Sequence, residues 1–131
     1  MEVNRVNKIT IGKLFELYLD TLDKCGESTR NLSDEMIEYN IFEEFIVGVT
    51  SFLANNSLND LLDNGLIDEQ IYSDSEELRK HTLELDGSNQ WNVSSFRNAE
   101  SWKEIIALWD KIKQQIRQKW NEKEIQELFE L

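Results

Sequence analysis

The side chains best suited to bond-making chemistry are scarce in this 131-residue chain, which contains one histidine and one cysteine. His81 follows Glu77 by four residues, whereas a carboxylate-bridged di-metal bundle needs Glu-x-x-His, a spacing of three, in two copies. The sequence therefore excludes that metal centre, and we expect His81 to be a partly buried structural residue beside Leu78 and Leu85. Cys25 has no candidate base other than His81, so it is predicted to be a structural thiol at a helix end.

Pairs of carboxylates, which general acid–base catalysis uses, occur at Glu43 and Glu44 and at Asp60 and Asp63. Such catalysis requires a cleft and two well-separated pKa values, and the sequence indicates neither. Residues 60–65 lack the alternating oxygen ligands of a calcium-binding EF-hand loop, and there is no glycine-rich phosphate loop. We therefore predict a protein that is not an enzyme and that has no cofactor or metal site.

The charge of the chain is strongly negative and concentrated in its middle. Lys and Arg total 14 against 26 Asp and Glu, which gives a net charge of -12. This balance argues against nucleic acid and membranes as partners, because anionic partners require a positive surface. Residues 34–86 contain fourteen acids and only two bases, Arg79 and Lys80, whereas the segments before and after them each have equal numbers of acids and bases.

Two interpretations of this acidic segment are open. In the first, the carboxylates keep the protein soluble or pair with bases on the final helix, namely Lys103, Lys111, Lys113, Arg117 and Lys119. In the second, they form a docking surface for a basic protein partner, since complementary charge steers association. The candidate partner-binding residues are then the acids of the second helix and the following loops, with two tyrosines as aromatic anchors: Asp34, Glu35, Glu38, Tyr39, Glu43, Glu44, Asp60, Asp63, Asp68, Glu69 and Tyr72.

Apolar residues recur at helical spacing along most of the chain, and there is no proline to interrupt a helix. The first predicted helix covers about residues 11–24, with Thr10 as its N-cap and Gly26 in a left-handed conformation beyond its end. The second begins after the N-cap Ser33 and ends near residue 55. Its predicted core stripe consists of Phe42, Phe45, Ile46, Val49, Phe52 and Leu53.

A short third helix is predicted after Ser57, as its N-cap, and ends at Asn64 and Gly65. Residues 68–85 form one helix or two, since Ser73 and Glu76 match a capping box that would break the segment. Residues 86–93 are predicted to be a loop anchored by Trp91.

The last long helix gives the strongest signal, and Asn98 is its predicted N-cap. Its apolar stripe consists of Trp102, Ile105, Ile106, Trp109, Ile112, Ile116 and Trp120. Asn121 and Glu124 indicate a further short helix at the end of the chain. No segment alternates as a strand does. We predict an all-α, single-domain bundle over residues 1–131, with about five helices and the long final amphipathic helix packed against the second.

The N-terminal residues contain no basic region followed by an unbroken apolar run, so no signal peptide is predicted. No apolar stretch approaches the roughly 20 residues of a membrane span. The sequence thus favours a cytoplasmic protein in which Cys25 is reduced.

Several stretches resemble small bacterial immunity proteins, which are encoded beside polymorphic or contact-dependent growth inhibition toxins. These stretches are residues 43–53 (EEFIVGVTSFL), 61–67 (LLDNGLI), 91–98 and 101–105, and the resemblance covers about residues 34–116. It implies a non-enzymatic inhibitor that binds one toxin domain, often a nuclease, in the cytoplasm, and it assigns no individual site residue. The alternative is an intracellular regulator or adaptor that forms a homodimer through Trp120 and Phe129. We accordingly expect a monomer or a weak homodimer.

Overall fold

The computed structural model describes residues 9–131, and every regular element in that range is helical. The elements are α1 (Ile11–Asp23), a 3-10 turn (Glu27–Asn31), α2 (Asp34–Ile37), a π-helical segment (Glu38–Phe45), α3 (Ile46–Phe52), α4 (Asn55–Asp63), α5 (Glu69–Leu85), α6 (Val93–Asn98), α7 (Glu100–Lys119) and α8 (Glu122–Leu128). The predicted all-α class is confirmed. The prediction about a signal peptide involves residues 1–8, which lie outside the described residues.

The number of helices is larger than the predicted five. Because α2, the π-helical segment and α3 run on without a break, we call residues 34–52 the composite helix, and residues 9–131 then form seven helices. The helix missing from the prediction is α6, which has only 6 residues and lies where the loop was expected to end. A segment this short has too few apolar positions to give a helical period.

Hydrogen bonds of the capping side chains confirm some predicted helix ends. The side chains of Thr10, Ser33 and Asn121 each accept a hydrogen bond from a backbone N–H of the first turn, and Asn121 forms a capping box with Glu124. Gly65 has a φ of 75°, as a left-handed helix end requires. Asp68 caps α5, which is unbroken at Ser73, so the segment is one helix.

Other predicted ends are wrong, in each case because a neighbouring residue starts or ends the helix. Ser57 lies inside the first turn of α4, and its hydroxyl donates to the carbonyl of Ser51 at 2.9 Å. Asn98 ends α6 and does not cap α7, whose N-cap is Ala99. Gly26 is extended, with a φ of 165°, since α1 has already ended at Lys24 and the chain turns into the 3-10 segment.

The π-helical segment determines which side of the composite helix is buried. Four residues of this helix and its C-cap, Leu53, are fully buried at a constant spacing of four: Ile37, Ile41, Phe45, Val49 and Leu53. In an α-helix of 3.6 residues per turn, a side chain four residues further along is rotated by roughly 40° around the helix axis. A π-helix has more residues per turn, with i→i+5 hydrogen bonds, so the same step of four rotates the side chain in the opposite direction. The two rotations offset each other, and all five side chains stay on one side of the helix.

The predicted stripe of the second helix is therefore only partly right. Phe45, Val49 and Leu53 are fully buried, but Phe42, Ile46 and Phe52 are half-buried. Ile37 and Ile41, which the α-helical period leaves out, belong to the core. The reason is that the π-helical segment Glu38–Phe45 has more residues per turn than an α-helix. Side chains at the start of the composite helix therefore face a different direction from the one that a continuous α-helical period predicts.

The core is one cluster of apolar side chains, and α7 contributes more of them than any other helix. Six of the seven residues in the predicted α7 stripe are buried: Trp102, Ile105, Ile106, Trp109, Ile112 and Ile116. Helix α7 reaches the composite helix through the rings of Trp109 and Phe45, whose centroids are 3.5 Å apart. Its most extensive neighbour is α5 rather than the second helix. The two run antiparallel, with Lys111 of α7 paired to Asp74 of α5.

Cys25 is buried beyond the end of α1, where a structural thiol was predicted. Burial raises the pKa of the Cys25 thiol well above its ordinary value of 9.0, although a hydrogen bond with Thr29 acts in the opposite direction. A thiol with a raised pKa exists mainly as the unreactive protonated form at neutral pH.

This raised pKa makes the stability of the fold sensitive to alkaline pH. Above about pH 9 the thiol of the unfolded chain loses its proton while the folded chain keeps it, so proton loss favours unfolding. We expect the free energy of unfolding to fall between about pH 8 and pH 10, by about 1 kcal/mol more in the native protein than in the Cys25→Ala variant. Urea unfolding followed by circular dichroism measures both slopes. Equal slopes would show that Cys25 does not contribute.

Candidate protein-binding surface

The composite helix exposes a line of carboxylates on the side opposite its buried stripe. Glu35 and Glu43 each lie two residues before a buried residue, Ile37 and Phe45 respectively, and they are eight residues apart, which is twice the buried spacing of four. Glu38 and Glu44 are exposed beside them. None of these four glutamates forms an ion pair with a described residue, so no base in residues 9–131 neutralises them. Unpaired like charges on one helix repel each other, which destabilises the free protein and leaves the carboxylates available to a cation.

Apolar side chains are interleaved with these carboxylates. Met36, Tyr39 and Val47 are 47%, 50% and 59% exposed, and they are three of the five large hydrophobic residues that stand exposed in the described part of the chain. Tyr39 and Val47 continue the line of Glu35 and Glu43 at a spacing of four. We call the surface formed by Glu35, Met36, Glu38, Tyr39, Glu43, Glu44 and Val47 the acidic–apolar surface. Exposed apolar groups within a polar rim are typical of protein interfaces.

Sequence reasoning found the acids and Tyr39 of this surface but missed Met36 and Val47. The signal that identifies them is the buried spacing of four, because Met36 and Val47 fall outside it. A period of 3.6 residues also places both on the side of the helix away from the predicted stripe.

Asp34 was predicted to bind a partner, but it is already used within the molecule. Its carboxylate accepts a hydrogen bond from Arg97, whose guanidinium also donates to the carbonyls of Leu32 and Arg30. Arg30 in turn donates to the carbonyl of Arg97. This set of contacts fixes α6 against the segment before α2. Asp34 therefore positions the start of the composite helix and is not counted in the acidic–apolar surface.

The other predicted residues lie on different helices and have mixed roles. Asp63 and Glu69 are exposed at the end of α4 and the start of α5. Asp68 accepts a hydrogen bond from the backbone of Ile71 at 2.8 Å as the N-cap of α5. Tyr72 is half-buried, and its hydroxyl donates to Asn59 at 2.8 Å, so it is not a free aromatic anchor.

Asp60 is half-buried in α4. It lines an open groove with residues from the start of α1 and the end of α3. No described contact joins Asp63, Asp68 or Glu69 to the acidic–apolar surface.

Bases of α7 neutralise little of the acidic segment. Lys111 pairs with Asp74 at 3.4 Å, which is the one described ion pair between α7 and residues 34–86. Lys103 and Lys113 pair within their own helix, with Glu100 and Asp110 respectively. Pairing across the bundle therefore accounts for Asp74, through Lys111, and for Asp34, through Arg97 of α6, and it leaves the acidic–apolar surface unneutralised.

His81 lies on the surface of α5 and is not the partly buried structural residue that the sequence predicted. The buried residues of α5 are Ile71, Asp74, Ser75, Leu78 and Thr82, and His81 falls at the edge of that stripe. Its side chain is 47% exposed, between Glu77 at 3.7 Å and Glu84 at 3.3 Å.

His81 lines a groove between α5 and α7 with a volume of about 320 Å³. The groove is open, and its imidazole and carboxylates are exposed. Among residues 9–131, no group of three or more His, Cys, Asp or Glu side chains is arranged to hold a metal ion.

Trp120 and Phe129, the residues of the predicted homodimer contact, pack within the chain. The indole N–H of Trp120 donates to the carbonyl of Leu66 at 2.9 Å. The ring of Phe129 lies 6.1 Å from that of Phe15 in α1. Both aromatic side chains are half-buried, so they hold α8 and the end of α7 to the rest of the fold.

Comparison of the chain with protein-family models, with curated proteins and with solved structures gives no match. In the part of the chain from residue 9 onward, no helix has both the length and the apolar composition needed to cross a bilayer.

Proposed function

We propose that this protein is an immunity protein, which binds a cognate bacterial toxin domain in the cytoplasm and neutralises it without catalysis. The acidic–apolar surface docks on a basic surface of the toxin and covers its active site or its substrate-binding surface. A toxin that acts on nucleic acid, such as a nuclease, has the required basic surface, because it must attract phosphates. The resemblance of residues 34–116 to small bacterial immunity proteins supports the choice of partner.

One observation carries the proposal. Four glutamates of the composite helix have no ion-pair partner in the described chain, and they alternate with exposed Met36, Tyr39 and Val47. The apolar groups supply the buried centre that a stable interface needs, with Tyr39 as the aromatic anchor. The carboxylates supply the charge that accelerates association and rejects acidic proteins. Solubility alone requires the charge but not the exposed apolar side chains between the charges.

The first test is co-purification of this protein with the product of the adjacent upstream gene. We expect a stoichiometric complex that abolishes the toxic activity. If the neighbouring gene encodes no toxin and no basic protein is captured, the proposal of an immunity function is wrong.

The second test reverses charge within the surface. We expect the double variant Glu43→Lys, Glu44→Lys to associate with the toxin at least about tenfold more slowly at low salt, with a weaker dependence on salt, because the attraction that steers the encounter is lost. Stopped-flow association measures the effect. The matched control is Glu127→Lys, Glu130→Lys, which changes the net charge equally but alters exposed residues at the end of α8. If both variants slow association equally, net charge and not this surface controls binding.

A further inference from the structure

We propose that the groove between α5 and α7 binds an arginine side chain presented by a protein segment. The site lies on other helices than the acidic–apolar surface, and its evidence is independent of the proposed function. Its lining residues from α5 are Glu77, His81, Glu84 and Leu85, and those from α7 are Ser101, Glu104, Ile105 and Leu108.

The floor of the groove is apolar. Ile105 is only 3% exposed, and Leu85 and Leu108 are half-buried, so the groove lies over the edge of the core. An apolar strip of this kind packs well against the three methylene groups of an arginine side chain, which bury readily while the charged head stays in a polar environment. A compact ammonium ion or a metal ion makes no use of such a floor.

The rim of the groove is negative. Glu77, Glu84 and Glu104 contribute three carboxylates, and His81, the one nitrogen base among the lining side chains, lies 3.7 Å from Glu77 and 3.3 Å from Glu84. A guanidinium has five N–H donors in a planar fork, so it can bond to carboxylates of both helices at once. The flat imidazole of His81 provides a surface on which the guanidinium plane can stack.

Neighbouring cations of the chain do not fill the groove. The Nζ of Lys103 forms an ion pair with the carboxylate of Glu100 at 3.8 Å, and the Nζ of Lys111 forms one with the carboxylate of Asp74 at 3.4 Å. Arg79 and Lys80 line an adjoining groove, which shares Glu77 and His81 with this one and extends to Asn55 of α4. The charge of the lining residues is thus complementary to a cation from another molecule.

The experiment uses the full-length protein and the single histidine of the chain as a probe. Nα-acetyl-arginine amide is added at constant pH and ionic strength, and proton NMR follows the imidazole resonances of His81. A ligand of this size binds weakly, so we expect saturable shifts with a Kd that is roughly millimolar. The matched neutral compound, Nα-acetyl-citrulline amide, should produce no saturable shift, because it lacks the charge but keeps the length.

Two double variants locate the site. We expect Glu84→Gln, Glu104→Gln to weaken arginine binding at least about tenfold, and Glu127→Gln, Glu130→Gln, which removes the same charge at the end of α8, to leave it unchanged. These exposed substitutions are compatible with folding, which circular dichroism checks. Equal weakening by both variants would overturn the proposal, because the arginine would then respond only to net charge. Equal shifts from citrulline would also overturn it. Neither result affects the charge-reversal test on the composite helix.

Discussion

Replacing Gly48 with alanine should lower the free energy of unfolding by about 2 kcal/mol or more, although alanine favours helices. Gly48 is where α3 crosses α1, and an added Cβ would lie 2.6 Å from Cγ2 of Thr21 and 2.9 Å from its Cβ. Distances this short force the helices apart, because Thr21 is buried and cannot move away. The gain of up to about 1 kcal/mol that alanine gives over glycine inside a helix offsets only part of this cost.

Urea unfolding followed by tryptophan fluorescence measures the effect. Thr50→Ala is the matched control, since Thr50 is exposed on the same helix, and it should change stability by less than about 0.5 kcal/mol. Thr21→Ala removes Oγ1 and Cγ2, two of the three Thr21 atoms that lie within 3.0 Å of the added Cβ, and should recover part of the loss in the double variant. A Gly48→Ala variant that is more stable than the native protein would mean that the two helices do not approach as closely as described.

Replacing Trp109 with alanine should cost about 4 kcal/mol, the largest loss that we expect from a single side chain. Trp109 is fully buried in α7, and its ring packs on Phe45 of the composite helix. The alanine variant leaves a cavity between the two helices whose side chains form the centre of the core. Since small domains have a total stability of only about 5–15 kcal/mol, this variant will unfold at much lower urea concentrations.

Trp109→Phe is the control for this prediction. The indole N–H of Trp109 is buried without a hydrogen-bond partner, so phenylalanine removes an unsatisfied donor while keeping an aromatic ring against Phe45. We expect Trp109→Phe to lower the free energy of unfolding by at least about 2 kcal/mol less than Trp109→Ala does. If the two variants are equally destabilised, the contribution of Trp109 does not come from filling space.

The sequence predicts which side chains form the core only where a helix has a regular α-helical period. Six of the seven residues predicted for the α7 stripe, Trp102 to Ile116, are buried because α7 is an unbroken α-helix with one apolar side. The composite helix breaks that rule, and the same period misplaced Ile37, Ile41 and Phe42. A π-helical segment has no established residue signature, and it forms here because the core accepts a side chain at every fourth position.

The sequence predicted which side chains of the candidate site are exposed, because exposure on a helix depends on the local spacing of polar and apolar residues. Glu35, Glu38, Glu43, Glu44 and Tyr39 are exposed as predicted. Pairing was not predictable, since the contact that engages Asp34 comes from Arg97, 63 residues further along the chain. The groove beside His81 also depends on two helices that are distant in sequence, so no local spacing identifies it.

The π-helical segment has a consequence for any future alignment of this chain with relatives. From Ile37 to Phe45 the buried side chains advance in two steps of four residues, so this stretch contains one residue more than an α-helix with the same buried stripe, which steps by three and four residues in turn. A relative with a regular α-helix at this place would match residues 34–52 only with a one-residue gap inside Glu38–Phe45. An ungapped alignment would equate the exposed glutamates of one protein with the core residues of the other.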